Sequence, residues 1–217
     1  VQTCALPIGG RKLKRGCFDE LKAAGGEVAV FFPPFVPFFT LRINYRNHRK
    51  ICIIDGKEAY VGGFNIGDEY LGLSKKFGFW RDTHIKIKGT AVEGLLWRFF
   101  KDWRFAAHKN NTHCQLEIPE NSLNGSSGIQ IVSSGPDSKW ASVKDGYFKM
   151  ITNARKRIYI QTPYFIPDDS IFEALRVAGL SGLDVKVMIP CKPDHPFVYW
   201  AGLSYIGELL EAGVKFY

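Results

Sequence analysis

Asn47-His48-Arg49-Lys50-Ile51-Cys52-Ile53-Ile54-Asp55-Gly56, followed by Gly62-Gly63-Phe64-Asn65, spells His-x-Lys-x4-Asp and then, six residues on, Gly-Gly-x-Asn. Residues 50–54 are short, apolar and rich in isoleucine, which predicts a strand. Asp55-Gly56 is a two-residue hairpin signal, and residues 58–61 supply the returning strand. Side chains alternate along a strand, so His48 and Lys50 share one face while Ile51 and Ile53 point into the core. An imidazole beside an ammonium suits attack on a phosphodiester: the neutral ring is a nucleophile and the fixed lysine stabilises phosphoryl charge. Asn65 adds a neutral donor to the same oxygens. Asp55 has the opposite parity and sits at the turn, which predicts a structural carboxylate bonded to hairpin amides. The carboxylate that orients His48 then comes from elsewhere, and Asp82 is the candidate, with a surface pair to Arg81 or a strand-start cap as the alternative. Two ordinary residues at a strand edge is the plain alternative for His48 and Lys50; Gly-Gly-x-Asn at its fixed offset argues against it.

Working outward, residues 11–24 carry Leu13, Cys17, Leu21 and Ala24 at helical spacing. Gly25-Gly26 ends that helix, and residues 27–32 predict a strand. Residues 31–39 hold five phenylalanines and three prolines, too much proline for a helix or a central strand. They read either as an exposed membrane-contact or acyl-chain surface or as core under a loop. On the other side, Asp68-Glu69-Tyr70 and Lys75-Lys76 predict a polar rim, and residues 85–87 a strand. Residues 91–106 form a helix whose stripe of Val92, Leu95, Leu96, Phe99 and Trp103 is core. Residues 108–128 are polar and glycine-rich, a linker in which His108 and His113 are solvated. The second half alternates: strand 129–133, helix 142–154, strand 157–162, helix 170–178, strand 184–189, helix 198–211 and a strand from 214. Tyr164 to Asp168 follows a strand end, where α/β sheets commonly line a cleft; a proline turn is the alternative.

A net charge of +8 favours an anionic partner, either nucleic acid or an acidic membrane surface, and 46% hydrophobic content is ample for a core. The five cysteines form no CxxC pair and no metal spacing, so they read as reduced cytosolic thiols, with Cys52 a neighbour on the catalytic face and not a nucleophile. No apolar run reaches transmembrane length, no signal peptide is recognisable, and both ends read as cut. Residues 1–8 can be back-translated into a common sequencing-adapter oligonucleotide and read as non-native, a natural N-terminal strand being the alternative.

The chain resembles the phospholipase D superfamily, and within it the bacterial cardiolipin synthases. The resemblance rests on residues 44–50, on Gly62-Gly63-Phe64-Asn65-Ile66-Gly67-Asp68-Glu69-Tyr70, on Trp80-Arg81-Asp82-Thr83-His84 and on Gln161-Thr162-Pro163-Tyr164-Phe165-Ile166-Pro167-Asp168. It implies an α/β fold with a mixed sheet flanked by helices, in two pseudo-repeated halves: residues 9–107 with the catalytic motif, a linker over 108–128, and residues 129–217, truncated before a second motif. In that family two motifs meet at one site, one histidine becoming phosphorylated and the other protonating the leaving group. Only one motif is present here. An internal repeat, Glu20 to Val28 against Glu208 to Val214, puts the second motif soon after Tyr217. The function implied is phosphatidyl transfer between two phosphatidylglycerol molecules, giving cardiolipin and glycerol through a phosphohistidine, with the isolated fragment inactive. His48, Lys50, Asp55, Asn65 and Asp82 are the candidate site. No cofactor and no metal are implied, because lysines neutralise the phosphate. The partners are phosphatidylglycerol and an anionic membrane surface at the bacterial inner membrane; nucleic acid is disfavoured, and the oligomeric state is left open. The rivals are a phospholipase D-like nuclease or phosphodiesterase and a lipid-binding pseudoenzyme.

Overall fold

The computed structural model describes residues 2–5 (backbone only), 16–31, 47–108, 125–135, 137–192 and 194–217. It divides into two compact units, Val1–Ile131 and Val132–Tyr217, a boundary three residues beyond the expected linker.

The first unit is built on a four-stranded antiparallel sheet in the order β1 (Gln2–Ala5), β2 (Lys50–Ile54), β3 (Glu58–Gly62), β4 (His84–Lys88). The period-two pattern holds: Ile51 and Ile53 are buried with Ala59 and Ile87 against Val92, Leu95, Leu96 and Phe99 of helix α2 (Ala91–Ala107). That helix keeps a single apolar stripe over its length, as the spacing predicts. The β2–β3 turn departs from expectation. Three residues, not two, separate the paired Ile54 and Glu58. Asp55 and Gly56 both take positive φ, 53° and 69°, and Lys57 N donates to Ile54 O at 3.0 Å. Asp55 therefore serves through its tolerance of the left-handed region, and the expected bonds from its carboxylate to hairpin amides do not form.

Two further expectations fail in this unit. Residues 26–30 form no strand, so the strand expected over 27–32 does not form among the described residues, and Phe32 to Phe39 lie outside them. Strand pairing needs a neighbour remote in sequence, which a local apolar pattern cannot supply. Likewise residues 129–133 form no strand. Ile131 instead covers Gly94 of α2, where an added Cβ would lie 3.1 Å from Ile131 Cγ1. At the N-terminus, β1 pairs antiparallel with β2, Gln2 opposite Ile53 and Ala5 opposite Lys50. Adding a strand to a sheet edge uses backbone groups and asks little of side chains, so the pairing agrees with a strand without requiring a native sequence there.

The second unit holds a parallel sheet, β5 (Arg157–Gln161), β6 (Asp184–Met188) and β7 (Lys215–Phe216), in that order. Around it lie α3 (Ser142–Asn153), α4 (Asp169–Leu180), α5 (Pro196–Leu203) and α6 (Ile206–Glu211). Its core gathers Ile158, Val185 and Val187 from the strands with Leu175, Leu209 and Val214. The single helix expected over 198–211 is two. Tyr205 N bonds Gly202 O at 3.2 Å and Ser204 Oγ takes Ala201 O at 2.7 Å, and this local bonding ends α5 before α6 begins. Asp168 caps α4 by accepting from Ile171 N at 3.0 Å, and that amide, then Ser170 and Lys144, holds its carboxyl well below the usual range. Phe165 is buried in the core. The turn reading thus accounts for both residues, leaving Tyr164, whose hydroxyl donates to Asp194 at 2.6 Å, and Ile166 as exposed side chains of that segment.

The internal repeat has a matching geometry. Helix α1 (Asp19–Ala23) ends with Gly26 N on Leu21 O at 2.8 Å and Gly25 at φ 83°; α6 ends with Val214 N on Leu209 O at 2.9 Å and Gly213 at φ 91°. Both are glycine-terminated helix ends of one type, and among the described residues the second is followed by a paired strand, β7.

Candidate active site

The site lies in the first unit, on the face of the sheet away from α2. Lys50 opens β2 and is buried, and its ammonium reaches back to the residue two before it: Nζ donates to His48 O at 2.7 Å and stands 2.8 Å from His48 Nδ1. Shared parity thus becomes a direct contact. Burial lowers the Lys50 pKa to about 8, with the negative charge of Asp82 working in the opposite direction. The His48 pKa is also lowered, first by partial burial and then by Lys50. A neutral ring beside a charged lysine receives the lysine proton on Nδ1, which places the ring's own proton on Nε2. Such a ring has no free lone pair on Nε2. A carboxylate on Nδ1 would reverse the tautomer and free that nitrogen for attack.

Asp82 does not supply that carboxylate here. Its Oδ1 accepts from Thr83 N at 2.6 Å, and the group folds over Gly63, where any Cβ would collide with it. The expected His48–Asp82 pair is replaced by this local turn, and Asp82 acts on the site as a charge near Lys50. Asn65 comes to the same place: its Nδ2 bonds the Tyr70 hydroxyl, and its Oδ1 is buried without a partner. Tyr70 lies on the 3-10 turn Asp68–Leu71, packed between Phe64 and Trp80 with ring centroids 5.2 and 5.5 Å away. Lys50, Cys52, Tyr60, Asn65 and His84 line a cavity of about 270 Å³. A larger hollow of about 460 Å³ along residues 213–217 of the second unit holds none of these groups. Among the described residues no group of three or more His, Cys, Asp or Glu gathers as a metal site, and no helix is long and apolar enough to cross a membrane.

Sequence reasoning missed Asp102. This carboxylate is 2% exposed on α2 and collects Asn47 Nδ2 at 3.0 Å, Arg49 Nη1 at 3.4 Å and Arg98 Nη2. Asn47 Oδ1 in turn accepts Arg49 N at 3.0 Å. Both neighbours of His48 are thereby fastened to one buried acid, which fixes the entry to β2. The signal was available, since Asp102 stands seven residues after Leu95 and three after Phe99, on the apolar stripe, where a charge needs a reason.

Comparison with known proteins finds similarity to cardiolipin synthases. Residues 147–217 match the family described as cardiolipin synthase, phospholipase D-like domain. Over 211 residues the chain is 58% identical to the major cardiolipin synthase ClsA of Bacillus subtilis, covering 97% of this chain and 44% of the relative. It is 53% identical over 211 residues to a cardiolipin synthase of Listeria welshimeri, with the same shares. With cardiolipin synthase 2 of Staphylococcus epidermidis the identity is 51% over 211 residues, covering 97% and 43%.

Two outcomes are expected. Asp102→Ala leaves Arg98 and Arg49 without their buried partner and lowers unfolding free energy by about 3–5 kcal/mol in urea titration. Lys50→Met reports the buried charge. In the unfolded chain Lys50 titrates near 10.5 and in the folded chain near 8. Below pH 8 the folded state carries the full burial cost; between the two values the unfolded chain binds the extra proton, so wild-type stability rises with pH. The melting temperature of Lys50→Met should exceed that of the wild type at pH 7, with the gap closing as pH rises from 8 to 10.5.

The chain spans a little under half the length of these relatives, is similar over nearly all of its own length to part of cardiolipin synthases, and over residues 147–217 is similar to the family described as cardiolipin synthase, phospholipase D-like domain.

Proposed function

We propose that this chain supplies the nucleophilic part of a phosphatidyltransferase that joins two phosphatidylglycerol molecules into cardiolipin with release of glycerol. The observation that carries the reading is the contact of the His48 imidazole with the buried Lys50 ammonium beside the cavity that Asn65 lines. A buried cation placed before substrate arrives stabilises phosphoryl charge without reorganisation.

In the proposed reaction His48 attacks phosphorus, the bond to the leaving glycerol breaks, and a general acid from outside this chain protonates that glycerol. A phosphatidyl-histidine results. The glycerol hydroxyl of a second phosphatidylglycerol then attacks the phosphorus, gives its proton to the group that acted as acid, and frees His48. Lys50 and Asn65 hold the phosphoryl oxygens in both steps. Asp102 acts only through Asn47 and Arg49, as a positioning residue. The lysine must be charged to do this, so transfer should fall as pH rises through about 8. Support for the lipid substrate comes from the relatives, each named as a cardiolipin synthase. The +8 charge supports a working place at an anionic membrane surface.

The test is a chimera in which this chain replaces the matching stretch of the Bacillus subtilis relative. Purified chimera should convert phosphatidylglycerol to cardiolipin and glycerol, His48→Ala should abolish turnover, and the 217-residue chain alone should be inactive or nearly so. Turnover by the chain alone, abolished by His48→Ala, would overturn the claim that the acid lies outside it. An active His48→Ala chimera would overturn the nucleophile.

A further inference from the structure

Three strands place three residues in a row across the site. Gly62 of β3 pairs with His84 of β4, and the β2–β3 register, in which Ile51 faces Val61, sets Lys50 beside Gly62 one residue further on. Lys50 and His84 therefore flank a glycine, about 10 Å apart at the backbone by the usual strand spacing. Having no side chain, Gly62 leaves the floor between them clear. An added Cβ there would lie 2.8 Å from His84 Nδ1 and collide with Thr83 O, so the His84 ring leans over the glycine. Both Lys50 and His84 line the 270 Å³ cavity, as does Asn65.

Each of these groups has hydrogen-bonding capacity to spare. Two of the three ammonium protons of Lys50 are taken by His48. Asn65 keeps a buried amide atom without a partner; turned by half a rotation, the amide accepts the Tyr70 proton and aims its NH2 inward instead. The His84 imidazole touches Phe64 edge-on, with centroids 6.2 Å apart and planes at 83°. Its ring nitrogens have no hydrogen-bond partner among the described residues. Packing thus fixes the plane of a ring whose polar atoms stay free, a poor arrangement for stability and a good one for a ligand.

We propose that His84 is a substrate-binding residue, its imidazole N–H donating to a phosphoryl oxygen of the anionic phosphodiester that Lys50 and Asn65 hold. The proposal rests on the phosphate role given above to those two residues. It assigns separate work to two imidazoles of one half-site: His48 attacks, and His84 holds the oxygen opposite Lys50. Lys50 supplies charge, Asn65 a neutral donor and His84 a directed one, so the phosphate is fixed in orientation as well as place.

The test uses this chain and glycerophosphoglycerol, the soluble phosphodiester left when phosphatidylglycerol loses its acyl chains. Titration is followed by the imidazole resonances of His84, the side-chain amide of Asn65 and the ε-methylene of Lys50. All three should shift saturably with a single Kd, and His84→Ala should weaken binding by roughly 10- to 150-fold, the worth of one hydrogen bond to a charged group. Shifts at Lys50 and Asn65 with none at His84, and unchanged affinity in His84→Ala, would overturn the proposal while leaving the phosphate site intact. Absence of shifts at all three would overturn the phosphate site and the proposal with it. The wild-type resonances decide the matter even if the variant fails to fold.

Discussion

The ammonium of Lys50 sits inside the protein with two of its protons on His48, and most of what surrounds it follows from that burial. A charge in low dielectric must be hydrogen-bonded and is easily deprotonated, which is why this lysine titrates near 8 and not near 10.5. The sheet supplies the support. Ile51 and Ile53 hold β2 on α2 from one side, and the removal of side chains at Gly62 and Gly63 makes room on the other. Asp102 completes the frame by fastening Asn47 and Arg49, so that the backbone on either side of His48 is fixed from within α2.

The electrostatics also say what the half-site lacks. With Lys50 on Nδ1, His48 carries its proton on the nitrogen that would attack. A carboxylate in that position reverses the tautomer; Asp82, bonded to Thr83 and folded over Gly63, is not in that position. The glycine-ended helix turns of the two units, Leu21 to Gly26 and Leu209 to Val214, are of one type. The nucleophile is armed only when a carboxylate takes that place on His48 Nδ1.

Most of the fold was legible because strand and helix periods are local. The face shared by His48 and Lys50, the burial of Ile51 and Ile53, and the stripe on α2 all follow from counting by two or by 3.6. What failed was non-local. Residues 27–30 have an apolar pattern yet form no strand among the described residues, and Ile131 found Gly94 instead of a sheet. Asp82 was placed by chain parity and resemblance, neither of which reveals that the Thr83 amide competes for its carboxylate. His84 passed as the end of a segment leading into a strand, since nothing in its own neighbourhood shows that Gly62 lies beside it and Lys50 beyond. Asp102 stood on the apolar stripe in plain view but was passed over, because an Arg–Asp pair four residues apart looks like an exposed helix pair.

The central claim is that His48 bonds covalently to phosphorus. It is tested most directly by mixing the chimera with phosphatidylglycerol, quenching at alkaline pH, where phosphohistidine survives, and mapping the adduct by peptide mass spectrometry. The account predicts a phosphatidyl group on the peptide that carries His48, at that residue and nowhere else in this chain. An adduct on another residue of this chain, or cardiolipin formation with no adduct on His48 under any quench time, would contradict it.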